Sequence, residues 1–383
     1  MIYLDNSATT MPSESAKEAV LDALSCFANP SSLHAFGYSA QKKLSECRAD
    51  IMSALRAKNG KLVFTASGTE ANNLAIIGTA NAKARRTANR IITTDCEHPS
   101  VENAIFELAQ RGFEIVKIPT KGGELDMAAL EAALDKPVFM ASMMLVNNET
   151  GALFHVWEAF DLIKAKYPDA VCHTDAVQGF LKCRFSPSSL RADLITVSAH
   201  KIHAPKGVGA LWVSDAMIKA KKIVPIIHGG GQESGFRSGT ENMPGICGFA
   251  AAAREGTASN PSDIKKICEM RAYAVEKIGT ACPEISLNIP KDHAPHILSL
   301  TLPSIKSETM LHFLSSKGIC VSSGSACSSH SQKTSSSLLA FGLTPKEADC
   351  TVRVSLCRYN DKHEIDELVD ALAQGIATLV RIR

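Results

Sequence analysis

The sequence predicts an α/β protein of two parts: a large domain on a mainly parallel sheet set between helices, and a smaller α/β domain. Three observations predict it. Short apolar runs alternate with longer helical patterns from about residue 60 to 215, the sequence form of successive βαβ units. A stretch containing Ser, Asn and Pro at 257–262, just after Gly256, interrupts this pattern, and a second set of strands and helices follows it. The chain of 383 residues is also longer than a single core usually organises.

The strand candidates of the large domain are 62–65, 90–94, 114–118, 138–146, 170–174, 194–198 and 208–213. Between them, 69–85, 101–110 and 157–166 carry apolar residues at helical spacing. Residues 228–240, HGGGQESGFRSGT, are too rich in Gly and polar groups for a regular element, so they form either an ordered functional loop or a flexible one. A helix pattern at 263–278 opens the smaller domain, which ends in an amphipathic helix at 362–380. The expected division is 15–256 for the large domain, with 1–14 and 257–383 in the small one. A Ser-rich patch between 321 and 337 reads as a long, flexible loop.

Composition narrows the function. Hydrophobic residues make up 45% and charged residues 21%, ordinary values for a globular chain, and the formal net charge is only +2. Lysine and arginine are scattered, so no footprint for nucleic acid stands out and a small substrate is expected. No apolar run reaches the length of a bilayer, and the opening MIYLDNSATT lacks the pattern of a secretory leader, so the expectation is a cytoplasmic protein. The twelve cysteines are dispersed and should be free thiols, mostly in cores. No C-x-x-C pair or H-E-x-x-H helix occurs, and no metal site is expected.

The residues able to carry chemistry fall at strand ends. Lys201, in Ser198-Ala199-His200-Lys201, closes one strand where an α/β sheet opens its ligand crevice, and its amine could form a Schiff base. A solvated surface lysine is the plain alternative. Asp175 closes another strand and could pair with a pyridinium nitrogen or cap a following helix. Ser67-Gly68-Thr69-Glu70 joins a strand to a helix, where backbone amides and a hydroxyl suit a phosphate; the same string also reads as an N-cap. His98 could stack on an aromatic cofactor or move protons, or simply fill a satisfied position. Cys327 lies in a Ser- and Gly-rich stretch where burial is hard to arrange, and an accessible thiolate is a nucleophile. Arg353 sits in an alternating strand pattern and offers a planar fork for a carboxylate.

Thr69, His98, Asn148, Asp175, Gln178, Ser198, His200 and Lys201 occur in the order and contexts found in cysteine desulfurases of the class V aminotransferase group, within the fold-type I pyridoxal-phosphate enzymes. The chain resembles that family from YLDNSATT at 3–10 through NPSSLH at 29–34, NNETG at 147–151, the Gly-rich loop and SSGSAC at 322–327 to RVSL at 353–356. The resemblance implies a pyridoxal 5'-phosphate cofactor carried on Lys201, its ring nitrogen on Asp175, its ring stacked by His98, which also handles protons as a catalytic residue, and its ring oxygen touched by Gln178. It implies a phosphate held at Gly68, Thr69, Ser198 and His200, and by Thr240 of a neighbouring subunit, hence a homodimer. Asn148 and Arg353 are then near the substrate L-cysteine, Arg353 on its carboxylate, and Cys327 receives the sulfur as a persulfide for an acceptor protein. Arg358 is assigned a structural ion pair. A selenocysteine lyase and a non-catalytic sulfur-transfer scaffold are the competing readings.

Overall fold

The computed structural model describes residues 1–82, 88–323 and 334–382. Seven strands form the main sheet: β2 (Lys61–Thr65), β3 (Arg90–Thr94), β4 (Glu114–Ile118), β5 (Val138–Met144), β6 (Val171–Asp175), β7 (Leu194–Ser198) and β8 (Gly209–Val213). Their order across the sheet is β2-β8-β7-β6-β5-β3-β4. β8 runs antiparallel to both neighbours, so the other six share one direction and bring their carboxyl ends to one edge. The side chains alternate as the pleat requires. Leu62, Phe64, Ile195, Val197, Ala210 and Trp212 join the core on one face, while Val63, Leu194, Leu211 and Val213 join the core on the other. Helices cover both faces, which is why each strand reads as a nearly continuous apolar run.

A second, antiparallel sheet orders β12 (Ser322–Ser323), β13 (Thr351–Ser355), β10 (Ile297–Thr301) and β9 (Ser286–Asn288). Leu298, Leu300, Val352 and Val354 pack there against Ile365, Leu368 and Leu372 of the helix Lys362–Thr378. The chain's first strand, β1 (Ile2–Tyr3), pairs in parallel with β11 (Ile319–Cys320), so the N-terminus belongs to this smaller core. Among the described residues no helix is long and apolar enough to cross a membrane, and no group of three or more potential metal ligands occurs. The described cysteines are free thiols, most of them buried.

The expected break at 257–262 is absent. One helix, Met243–Ala281, runs 39 residues through it and serves both cores, with Ile246 and Phe249 in the larger and Ile267, Met270 and Ile278 in the smaller. Pro261 costs such a helix about 3 kcal/mol because it lacks an amide hydrogen and crowds the preceding turn. Tertiary contacts offset this. Arg358 pairs with Glu255 and with Asp263 (3.3 Å), bridging the turns on either side of the proline, and Asn260 Nδ2 donates to the Leu181 carbonyl at 2.6 Å. The Thr257, Ser259 and Ser262 hydroxyls donate back to helix carbonyls. Arg358 is therefore the structural cation expected, though bound in a half-buried network rather than at a strand edge.

Two further segments read as loops in the sequence, the Gly-rich one as either ordered or flexible. The Gly-rich stretch is ordered by Glu233, whose buried carboxylate receives two bonds from Arg48 (2.6 and 2.8 Å) and one from the Phe64 amide (2.9 Å). The Ser-rich patch ends in a helix, Ser336–Phe341, capped by Ser335, and Ser337 is buried. Cys327 lies outside the described residues.

Glu97 locks the ends of β3 and β5 together. Its Oε1 accepts from Thr94 Oγ1 (2.6 Å) and from the Met144 amide (2.8 Å). Burial pushes its carboxyl up to about 8 despite those bonds. The folded value lies above the unfolded one, so this group's stability is full below the ordinary glutamate range and is lost as pH rises toward 8. Glu97→Gln should keep the fold, melt several degrees higher than wild type at pH 8, and lose that advantage at pH 5. Thermal melts at the two pH values check this.

Candidate active site

The carboxyl edge of the main sheet is roofed by the first residues of the chain. Thr10 donates to the His200 carbonyl and receives the His203 amide (2.9 and 2.7 Å), and His200 Nδ1 lies 3.2 Å from Thr9 Oγ1. On its other side the same segment is sewn to the smaller sheet, with Asn6 Nδ2 donating to the Ser355 carbonyl (2.9 Å) and the Ser7 amide to Ser355 Oγ (2.8 Å). The site is therefore built between two sheets by residues 6–10, which continue from the strand that anchors the N-terminus in the smaller core.

Lys201 ends a single 3-10 turn, Ala199–Lys201, that follows β7 directly. Its Nζ donates to the carbonyls of Ser7 (2.5 Å) and Ala8 (2.7 Å). Gln178, one turn past Asp175, donates to the same Ser7 carbonyl (2.9 Å) and faces His296 Nε2 through its oxygen (3.3 Å). Asp175 ends β6; it caps a tight turn through the Val177 amide (2.9 Å) rather than a helix, and its other oxygen receives Asn72 Nδ2 at 2.7 Å. Asn72 also donates to Ser100 Oγ (2.8 Å), and Ser100 Oγ lies 2.8 Å from His98 Nδ1. His98 caps the helix Pro99–Gln110, and its pKa is lowered by burial and by the Lys201 charge, against the opposing pull of Asp175.

The turn after β2 makes the second corner. Ser67 caps the helix Gly68–Asn81 by accepting the Glu70 amide, so the capping reading of this string is real. It does not compete with an anion site. Ser198 Oγ is buried without a partner among the described residues, and it lies beside Gly68, where an added Cβ would meet Ser198 Cβ at 3.3 Å and Val177 Cγ2 at 3.0 Å. Gly209 is required there, since a Cβ would come within 2.6 Å of the Ser67 carbonyl carbon. Thr69 is exposed at the helix start. His200 is pushed down to about 4, chiefly by burial and next by Lys201, so at neutral pH it contributes hydrogen bonds rather than charge.

The third corner is cationic. Arg353 in β13 donates to Asp5 Oδ1 (2.9 Å) and to the Asn148 carbonyl (2.8 Å), while its Nε is buried without a partner among the described residues. Lys182 Nζ is likewise sealed, without a hydrogen-bond partner among the described residues, although its stem reaches the surface; burial, then the Lys201 charge, pushes it down to about 7. Thr240 stands apart, exposed on a cavity of about 210 Å³ with Thr65, Gly207 and Arg237. The start of the helix Ser336–Phe341 is tied to the site's edge by Ser335 Oγ to Glu149 Oε2 (2.6 Å) and Asn147 Nδ2 to Ser337 Oγ (3.1 Å).

Sequence reasoning missed Asp5, Asn72, Ser100, Lys182 and the roofing segment. Asn72 had a usable signal, because it lies one turn after Thr69 on a helix that starts at the sheet edge. The set as a whole combines an amine, an acceptor-only carboxylate, an imidazole, a helix N-terminus and a guanidinium.

Relatives match this chain along its length. A cysteine desulfurase of Trichormus azollae is 35% identical over 382 residues, covering 99% of this chain and 94% of the relative. A NifS/IcsS protein homolog of Lactobacillus delbrueckii subsp. bulgaricus is 38% identical, covering 97% and 96%. A solved NifS-like protein superposes with a TM-score of 0.91 at 31% identity, covering 99% of this chain and all of that one. The sequence profile of class-V aminotransferases spans residues 2–368, and with these likenesses it shows that the chain belongs to the class-V aminotransferase family.

Proposed function

We propose that this protein is a cytoplasmic, homodimeric cysteine desulfurase that uses pyridoxal 5'-phosphate. The observation that carries the reading is the convergence of Lys201, Asp175, His98 and the Gly68 corner on one sheet edge, as the cofactor requires. The residues fit the group. Ser198 Oγ and the amides opening the helix Gly68–Asn81, with Thr69 and His200, would hold its phosphate. Asp175, kept as an acceptor by Asn72 and the Val177 amide, would hold a protonated ring nitrogen. Gln178 and Asn148 would contact the ring, and Thr240 would serve the neighbouring subunit's phosphate. When bound, the cofactor supplies an aldehyde for amine exchange and a ring that draws electrons from the substrate Cα.

The chain's own groups do the rest. Arg353 presents a fork held flat by Asp5 and Asn148, with Nε still free to donate among the described residues, and it takes the carboxylate of L-cysteine. Lys201, already gripped at the Ser7 and Ala8 carbonyls, is positioned to move the Cα proton. Cys327 attacks the substrate sulfur as the thiolate; the carbon–sulfur bond breaks, a sulfur–sulfur bond forms, and alanine leaves. Strand β12 supports this placement, since Ser322 pairs with Arg353 itself, and Cys327 is four residues beyond Ser323, within roughly 14 Å of extended chain. The persulfide then passes to an acceptor protein.

The dimer reading draws on the exposed Leu21, Leu24, Phe27, Leu33, Phe36 and Tyr38, an apolar set of the kind that marks a subunit interface.

Cys327→Ala should keep the visible absorbance of the purified protein and lose persulfide formation, measured by mass shift after incubation with L-cysteine; full sulfur delivery by that variant would remove Cys327 from the scheme. Lys201→Ala should lose the visible band and the alanine product together. Arg353→Lys should raise KM for L-cysteine about tenfold or more, with a smaller change in kcat, because a point charge replaces a two-point grip.

A further inference from the structure

We propose that Asn72 and Ser100 are positioning residues that hold His98 in a single tautomer, with Nδ1 as acceptor and the hydrogen on Nε2, so that His98 serves as a neutral hydrogen-bond donor. The inference rests on His98 being the site histidine of the desulfurase reading.

The direction of every hydrogen in the chain Asp175–Asn72–Ser100–His98 is fixed by its chemistry. An ionised carboxylate can only accept, so the group 2.7 Å from Asp175 Oδ2 must be the amide nitrogen of Asn72 and not its oxygen. That nitrogen has a second hydrogen, and it points to Ser100 Oγ at 2.8 Å. Having accepted there, the Ser100 hydroxyl has one hydrogen to give, and His98 Nδ1 lies 2.8 Å away. The backbone amide of Ser100 converges on the same Nδ1 at 3.2 Å, and a backbone N–H never accepts. Two donors thus meet the Nδ1 lone pair, and the ring hydrogen must be on Nε2.

The relay is stiff. Asn72 is 1% exposed and Ser100 8%, and His98 is anchored as the cap of a helix whose first residue is Pro99. A base would need a free lone pair, and the one the ring has is occupied twice. The charged and titratable groups that act on the ring are Asp175 from β6 and Lys201 and His200 from the turn after β7. Burial and Lys201 together keep the ring below its ordinary range, hence neutral at neutral pH. A neutral imidazole N–H in a dry site stabilises negative charge developing on a nearby atom without itself ionising. The same relay joins Asp175 to His98, so a change of charge at the carboxylate is felt at the ring through three hydrogen bonds as well as through space.

The test is nitrogen-15 NMR of the purified enzyme labelled at histidine, at neutral pH, with the His98 signals assigned by difference from His98→Gln. The expected spectrum has an unprotonated Nδ1 and a protonated Nε2. Ser100→Ala should move these signals toward a mixture of tautomers and lower kcat roughly tenfold with KM little changed, the loss of about one hydrogen bond, and Ser100→Thr should restore both. A hydrogen on Nδ1 in the wild type overturns the proposal, as do unchanged His98 signals in both Ser100→Ala and Asn72→Ala. The wild-type spectrum decides even if a variant does not fold. It also needs no turnover, so its failure is distinct from a failure of the desulfurase reading, which the Cys327→Ala mass measurement decides.

Discussion

The hydrogen bonds made by residues 6–10 are the constraint on which the site depends. Backbone carbonyls of Ser7 and Ala8 hold the Lys201 amine, the Ser7 carbonyl also takes Gln178, and Thr10 fixes both ends of the His200–His203 turn. The same few residues are bonded to Ser355 and, through Asn6, to Asn360 on the smaller sheet. Each such bond is worth only about 1 kcal/mol net, but leaving one of these buried groups without its partner costs more. The segment is thus a seam: the reactive amine is positioned by a peptide whose own place is set by the second sheet, and the guanidinium of Arg353 comes to the site on that second sheet, two residues before Ser355.

Charge at the site is managed by burial more than by pairing. Lys182, His200 and His203 lie close to Lys201 or Arg358, and each is pushed toward its neutral form chiefly by desolvation. Glu97 is pushed toward neutrality for the same reason. The charges that the folded structure keeps paired are those with direct partners, Asp175 with Asn72 and Arg353 with Asp5. A negatively charged ligand entering this edge therefore meets few mobile countercharges and a fixed array of donors, the condition under which such donors act strongly.

Much of this was legible in the sequence, for a physical reason. Strands buried on both faces must be largely apolar, so the six inner and well-covered ones could be read that way, while the partly buried edge strand β4 keeps only a short Ile/Val run; a parallel sheet must display its strand ends together, so Lys201, Asp175, His98 and Gly68 could be grouped. The roofing segment could not be read as such, because its key acceptors are backbone carbonyls, which no side-chain pattern announces. The helix through Pro261 was hidden because propensity there favours a break, and the contacts that override it come from Leu181 and Arg358, far away in sequence. Ser100 was hidden because it is ordinary on its helix and acquires meaning only where that helix meets Asn72, whose place one turn after Thr69 was itself a signal.

The helix Met243–Ala281 behaves like a drive shaft keyed into two hubs. An α-helix advances about 1.5 Å and turns about 100° per residue, so the phase between its Ile246–Phe249 face and its Ile267–Ile278 face is set by residue count alone. One residue inserted between them would swing the second hub by more than a quarter turn and carry β13, with Arg353, out of line with Lys201. Chain length in this helix is consequently as much a part of the substrate site as any side chain in it, and tolerance for insertions is expected in the surface loops instead.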